Sequence, residues 1–99
     1  MRTIVVTPKY KKELLKCERS GRNYDFAALA TVINQLAAGK SLPKKFRDHA
    51  LKGDFKVRNV RECHIQPDWL LCYRIEGNNL ILEDIGSHSR LFGMERQDC

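Results

Sequence analysis

An α+β fold is the expectation for this 99-residue chain, with two N-terminal helices packed on a small antiparallel sheet. Three observations carry it. A β-branched run opens the chain, two stretches with apolar residues at helical spacing follow, and from Phe55 onward the period changes to two.

Thr3 to Val6 reads as a strand ended by Thr7-Pro8. Thr7 is a good N-cap and Pro8 suits a first helical turn, so a helix runs from Pro8 to Arg19 and closes at Ser20-Gly21. Asp25 caps a second helix, Phe26 to Ala38, along which Leu29, Val32, Ile33, Leu36 and Ala37 recur at helical spacing before Gly39. Two consecutive helices joined by a short Gly-containing link pack as a hairpin on the sheet that follows. Ser41-Leu42-Pro43 begins a basic loop through Lys44, Lys45 and Arg47 to Asp48-His49. Past the Lys52-Gly53 turn, Phe55 and Val57 start an alternation that leads into Arg61 to Ile65. Trp69 to Ile75 and Leu80 to Ile85 are the remaining strands, joined by Glu76-Gly77-Asn78-Asn79, whose residues tolerate positive φ. Leu70 and Cys72 on one alternating set, with Leu71 and Tyr73 on the other, mark a central strand covered on both faces. The first strand is expected to join this sheet.

Ninety-nine residues make one domain, 1–99, with a single modest core. The apolar fraction of 42% against 30% charged residues describes a globular chain and excludes disorder. No apolar stretch reaches the roughly 18 residues of a membrane span, and the apolar part of Met1-Arg2-Thr3-Ile4-Val5-Val6 is too short for a secretory signal, so a cytoplasmic protein is expected. Cys17, Cys63, Cys72 and Cys99 have no CxxC pairing and read as reduced thiols. Charge is uneven: up to Ile75 there are 16 Lys and Arg against 7 Asp and Glu, and beyond it 2 against 5. A basic body points to a polyanion or an acidic protein partner.

The three histidines, His49, His64 and His88, all stand at expected strand edges or turns and none within a helix. His64 is followed four residues later by Asp68 around the Pro67 turn, and His49 adjoins the basic loop. There is no compact ligand pair such as HxxxH, so no metal and no cofactor are expected. Cys63 is a poor partner for His64, because strand alternation turns neighbours to opposite faces. Proton transfer remains. Histidines with a carboxylate and cations are the groups needed to cleave RNA through its own 2′-hydroxyl: a base for the hydroxyl, an acid for the 5′ leaving oxygen, and positive charge for the phosphate.

Three motifs, Asp48-His49-x-Leu51-x-Gly53, Arg61-x-x-His64-x-x-Pro67-Asp68-Trp69-x-Leu71-x-Tyr73 and Gly86-x-His88-x-x-Leu91-Phe92-Gly93, resemble the YafQ branch of the RelE superfamily of type II toxins. The resemblance covers nearly the whole chain. It implies a RelE/ParE-like toxin fold and a ribosome-dependent mRNA endonuclease held inactive by a cognate antitoxin dimer. It also implies catalytic positions at His49, His64, Asp68 and His88, with Trp69 and Phe92 lining the site. On that footing His88, in a flexible strand-end position, is the general acid. Asp68 orients an imidazole or takes the 2′ proton, and Arg61 or Lys52 neutralises the phosphate. Glu62 and Gln66 stand where the family often has an aspartate and a glutamate, and Met94 to Cys99 extends beyond the family's usual end as a frayed tail. Two other readings compete. One is a toxin of the same fold that poisons DNA gyrase by protein contact, which needs no histidine set. The other is a general RNA-binding module, which would need several aromatics on one sheet face.

Overall fold

The computed structural model describes residues 1–51 and 59–92, and of His88 and Phe92 the backbone only. The elements follow as β1 (Thr3–Val6), α1 (Pro8–Arg19), α2 (Phe26–Ala37), a 3-10 turn at Lys44–Phe46, β2 (His49–Ala50), β3 (Arg61–Gln66), β4 (Trp69–Glu76), β5 (Asn79–Gly86) and α3 (His88–Phe92). Local chemistry accounts for most boundaries. The Thr7 hydroxyl accepts the Tyr10 N–H at 3.1 Å and donates to the Leu82 carbonyl at 2.8 Å, so one residue both caps α1 and ties it to β5. Asp25 caps α2 by accepting the Ala28 N–H at 2.9 Å. Gly39, with φ +78°, takes the left-handed position after α2.

The five strands lie in the order β1-β5-β4-β3-β2. β2 pairs antiparallel with β3, β3, β4 and β5 pair antiparallel as the tight turns between them require, and β1 joins the sheet at its edge beside β5. The sheet as a whole is nevertheless mixed, because β1 runs parallel to β5, with Ile4 opposite Leu80 and Val6 opposite Leu82. Antiparallel pairing is enforced only between strands joined by a hairpin. Two helices and three strands separate β1 from β5, so its direction is set by where α1 and α2 return the chain. The expected strand start at Phe55 and Val57, the Lys52-Gly53 turn and the tail from Met94 lie outside the described residues.

Side-chain alternation divides the sheet into two faces. Cys63, Ile65, Trp69, Leu71 and Tyr73 point to one side and pack with Tyr10 and Cys17 of α1 and Leu29, Val32 and Leu36 of α2. Cys72 points to the other side, where a smaller cluster forms with Leu51, Val60 and the partly buried Leu91 of α3. β4 is therefore covered on both faces, as its two apolar sets demand. One expectation is corrected here: His88 does not stand at a strand end outside the helices but opens α3, because the Ser87 hydroxyl accepts the Arg90 N–H and starts a turn directly after β5. Among the described residues, no helix is long and apolar enough to cross a membrane.

Candidate active site

β2 and β3 place His49 directly opposite Glu62 in an antiparallel pair, so both side chains leave the sheet on the same face. Two residues along β3, His64 shares that face. Oε1 of Glu62 lies 3.6 Å from Nε2 of His49 and 3.4 Å from Nε2 of His64. The two rings are 6.3 Å apart, centre to centre. Glu62 is fully buried, His64 is 4% exposed and His49 is half-buried.

The far side of each ring fixes its tautomer. Nδ1 of His49 meets the Arg47 carbonyl at 2.7 Å, and Nδ1 of His64 meets the Pro67 carbonyl at 3.3 Å. A carbonyl only accepts, so both Nδ1 atoms carry hydrogen and both Nε2 atoms face the carboxylate. A bare Nε2 lone pair against a carboxylate oxygen is repulsive, whereas a proton between them is attractive. A buried carboxylate also needs compensating positive charge. Glu62 thus stands between the two imidazoles, with its Oε1 facing both Nε2 atoms. Arg47 supports this arrangement from a left-handed backbone conformation, φ 50°, that turns its carbonyl toward His49.

Register carries the site across the sheet. His64 pairs with Leu70, and Leu70 with Gly86, so the end of β5 lies two strand spacings, about 10 Å, from His64. His88 follows two residues later at the start of α3. Asp68 is exposed in the two-residue turn between β3 and β4, and with Tyr24, Gln66 and Ser87 it lines a cleft leading toward α3. A second cleft on the other side of Gln66-Pro67 is lined by His64, Phe46, Lys45 and Arg47. The basic loop therefore does adjoin His64.

Arg61 lies on another face, and Trp69 reaches the site only as a buried wall. Arg61 is one step from Glu62, so alternation sends it to the opposite face, where its Nε meets Asp48 at 3.3 Å. The Tyr73 hydroxyl donates to the same Asp48 oxygen at 2.6 Å. Burial alone would lower the Arg61 pKa, and the contacts with Tyr73 and Asp48 outweigh it. Trp69 was expected to line the site, but its ring is 1% exposed and stacks on Tyr24 at 4.5 Å, with Phe26 edge-on at 5.4 Å. Its indole N–H donates to Cys17 Sγ at 3.4 Å. Trp69 forms the buried wall of the Asp68 cleft and leaves Tyr24 as the more accessible ring there.

Glu62 is the residue that sequence reasoning left without a role. Its signal was present: a lone acid between Arg61 and Cys63 on a strand whose alternate members are His64 and, across the pair, His49. Cys63 and Cys72 are poor nucleophiles, since burial pushes both well above the ordinary thiol range. Among the described residues, no group of three His, Cys, Asp or Glu side chains is arranged to hold a metal ion.

Known proteins share this fold. The protein named mRNA interferase toxin YafQ from Escherichia coli (strain K12) is 31% identical over 93 residues, spanning 93% of this chain and 97% of its own. A crystal structure of a metal-bound toxin from Helicobacter pylori is 40% identical and matches with a TM-score of 0.84 over 93% of this chain and 100% of that one. The E. coli DinJ-YafQ complex matches at 28% identity and a TM-score of 0.82, over 94% of this chain and 100% of that one. The family described as bacterial toxin of type II toxin-antitoxin system, YafQ, matches residues 2–93, and this chain belongs to it.

Proposed function

We propose that the protein is an mRNA interferase, an endoribonuclease toxin that cuts translated message and is held inactive by a cognate antitoxin. The observation that carries this reading is the Glu62 carboxylate between two tautomer-locked imidazoles, within 3.6 Å of both. Family membership supports it, as does the name of the E. coli relative. The E. coli family member solved in complex with DinJ supports an antitoxin partner.

In this mechanism the 2′-hydroxyl loses its proton, attacks the adjacent phosphorus and expels the 5′-oxygen, leaving a 2′,3′-cyclic phosphate. His49 and His64 share base and charge-stabilising duties through Glu62. Asp68, at the mouth of the neighbouring cleft, takes the 2′ proton or orients the attacking sugar. His88 protonates the leaving oxygen, and the Phe92 ring stacks on a base. Positive charge for the phosphate comes from Lys45 and Arg47 beside His64, in place of Arg61. Alignment of hydroxyl and phosphate comes from the ribosome, which holds the message in the decoding site.

Mapping mRNA ends after brief expression tests the reading. Cuts inside translated codons are expected. Intact message with DNA breaks would replace this reading with a gyrase poison of the same fold.

A further inference from the structure

α3 is only five residues long, too short to hold itself in place, yet it carries His88. Arg90 supplies the attachment. Its Nη2 donates to Oδ1 of the buried Asp84 and, at 2.8 Å, to the Ile85 carbonyl. Its Nε stands 3.4 Å from Oε1 of Glu13 on α1. Asp84 is held in turn by Lys9 at 3.2 Å and accepts the Ile85 N–H at 2.8 Å. One guanidinium thus joins the helix to both β5 and α1.

The path it takes needs a glycine. A Cβ built on Gly86 would lie 2.8 Å from Nη2 of Arg90 and 3.0 Å from its Cζ, and closer still to Nε. Gly86 has no positive φ, so its backbone does not require glycine. What requires the missing side chain is the guanidinium lying against it.

We infer that Arg90, seated on Gly86 and forked onto Asp84 and Ile85, is a positioning residue that sets where α3 presents His88 to the substrate. The inference rests on the reading in which His88 acts in RNA cleavage. Arg90 acts through this clamp, because its guanidinium is engaged by Asp84, the Ile85 carbonyl and Glu13. Lysine at this position would keep the charge and lose the fork.

The test uses the full chain labelled at its histidine rings, with Arg90→Gln, Gly86→Ala and the double variant, and Arg74→Gln as a control ion-pair loss far along β4. Thermal melting first verifies that each is folded. In two-dimensional ring spectra of the free protein, Arg90→Gln and Gly86→Ala are expected to move the His88 signals and leave those of His49 and His64 in place. On ribosomes programmed with a defined message, each should slow single-turnover cleavage at saturating toxin by about 10–100-fold, the cost of a misplacement on the order of 1 Å. The half-saturating concentration should hold within about twofold, and the double variant should be no slower than Arg90→Gln, since both changes break one contact. If Arg90→Gln fails to fold, Gly86→Ala alone decides the matter, because it removes no charge. Unmoved His88 signals with parental cleavage rates overturn the inference. A parent that leaves message intact, while both variants still move the His88 signals, refutes the functional reading and leaves the clamp standing.

Discussion

Glu62 is the residue that couples the two imidazoles within reach of each other. It is buried, it lies directly opposite His49 across the β2–β3 pair, and its Oε1 faces both Nε2 atoms. Glutamine at this position has nearly the same shape and carries no charge. Glu62→Gln should therefore slow single-turnover cleavage on programmed ribosomes by about 10²-fold or more, the usual loss for a general acid or base. A rate within about threefold of the parent, roughly 0.7 kcal/mol, would remove Glu62 from the chemistry. His88→Ala and Asp68→Ala should each abolish toxicity at equal expression, which growth curves of induced cultures measure directly. Trp69 belongs with a different kind of effect. Its ring fills the core between α1, α2 and β4, so Trp69→Ala should cost about 3–5 kcal/mol of stability in a urea melt. Trp69→Phe, folded at low temperature, should keep near-parental cleavage, and a catalytic loss there would restore Trp69 to the site.

At the scale of elements, Thr7 links two of them with one hydroxyl, capping α1 while bonding the Leu82 carbonyl on β5. Thr7→Ala should destabilise the fold by about 1–2 kcal/mol, measured as a shifted denaturant midpoint with an unchanged slope. Thr7→Ser should recover most of it. A neutral Thr7→Ala would mean that packing of α1 alone holds β1 in its parallel register. The two long helices, the central strand and the hairpins were legible in the sequence, because caps, turn residues and periodicity are local signals. The parallel entry of β1 was not, since nothing near Thr3–Val6 encodes the direction of a strand some 75 residues away. Nor was α3, because five residues after a Gly-Ser pair carry no helical period, and the contacts of Arg90 and Leu91 that secure them are tertiary.

For the whole molecule, charge and burial make separate predictions. The chain carries a net +6, and its basic excess lies in the body. Such a body suits a polyanion or an acidic protein partner, with electrostatic steering aiding either. Free RNA should be cut weakly, because the candidate site has few groups and its alignment is supplied from outside. Comparable single-turnover rates on naked and ribosome-bound message would refute that dependence. Stability has its own pH limit. Burial, with smaller contributions from Cys17 and Glu18, pushes Tyr10 up to about 12 from an ordinary value of 10.0. A raised pKa in the folded state means that this part of the stability is intact below pH 10 and is lost as pH rises from 10 toward 12. The loss reaches about 2–3 kcal/mol. Tyr10→Phe should flatten that segment of a stability-versus-pH curve, read from urea midpoints.

The amino-acid sequence by itself determined the class of fold, the order of β1, α1, α2, β3, β4 and β5, and the list of candidate proton-transferring side chains. Each of these follows from spacing, from caps such as Thr7 and Asp25, or from the scarcity of histidine. It also determined that Cys63 and His64 part company, since a period of two leaves no choice. Only the tertiary structure decided which side chains meet. His49 is fifteen residues from His64 in the chain, and register alone sets it across from Glu62. The same period of two that unites Glu62 with His64 removes Arg61 from their face, and the packing of Tyr24 and Phe26 takes Trp69 into the core. A side chain's type is written locally, whereas its partners depend on pairing register and on what covers each face, which are properties of the folded whole.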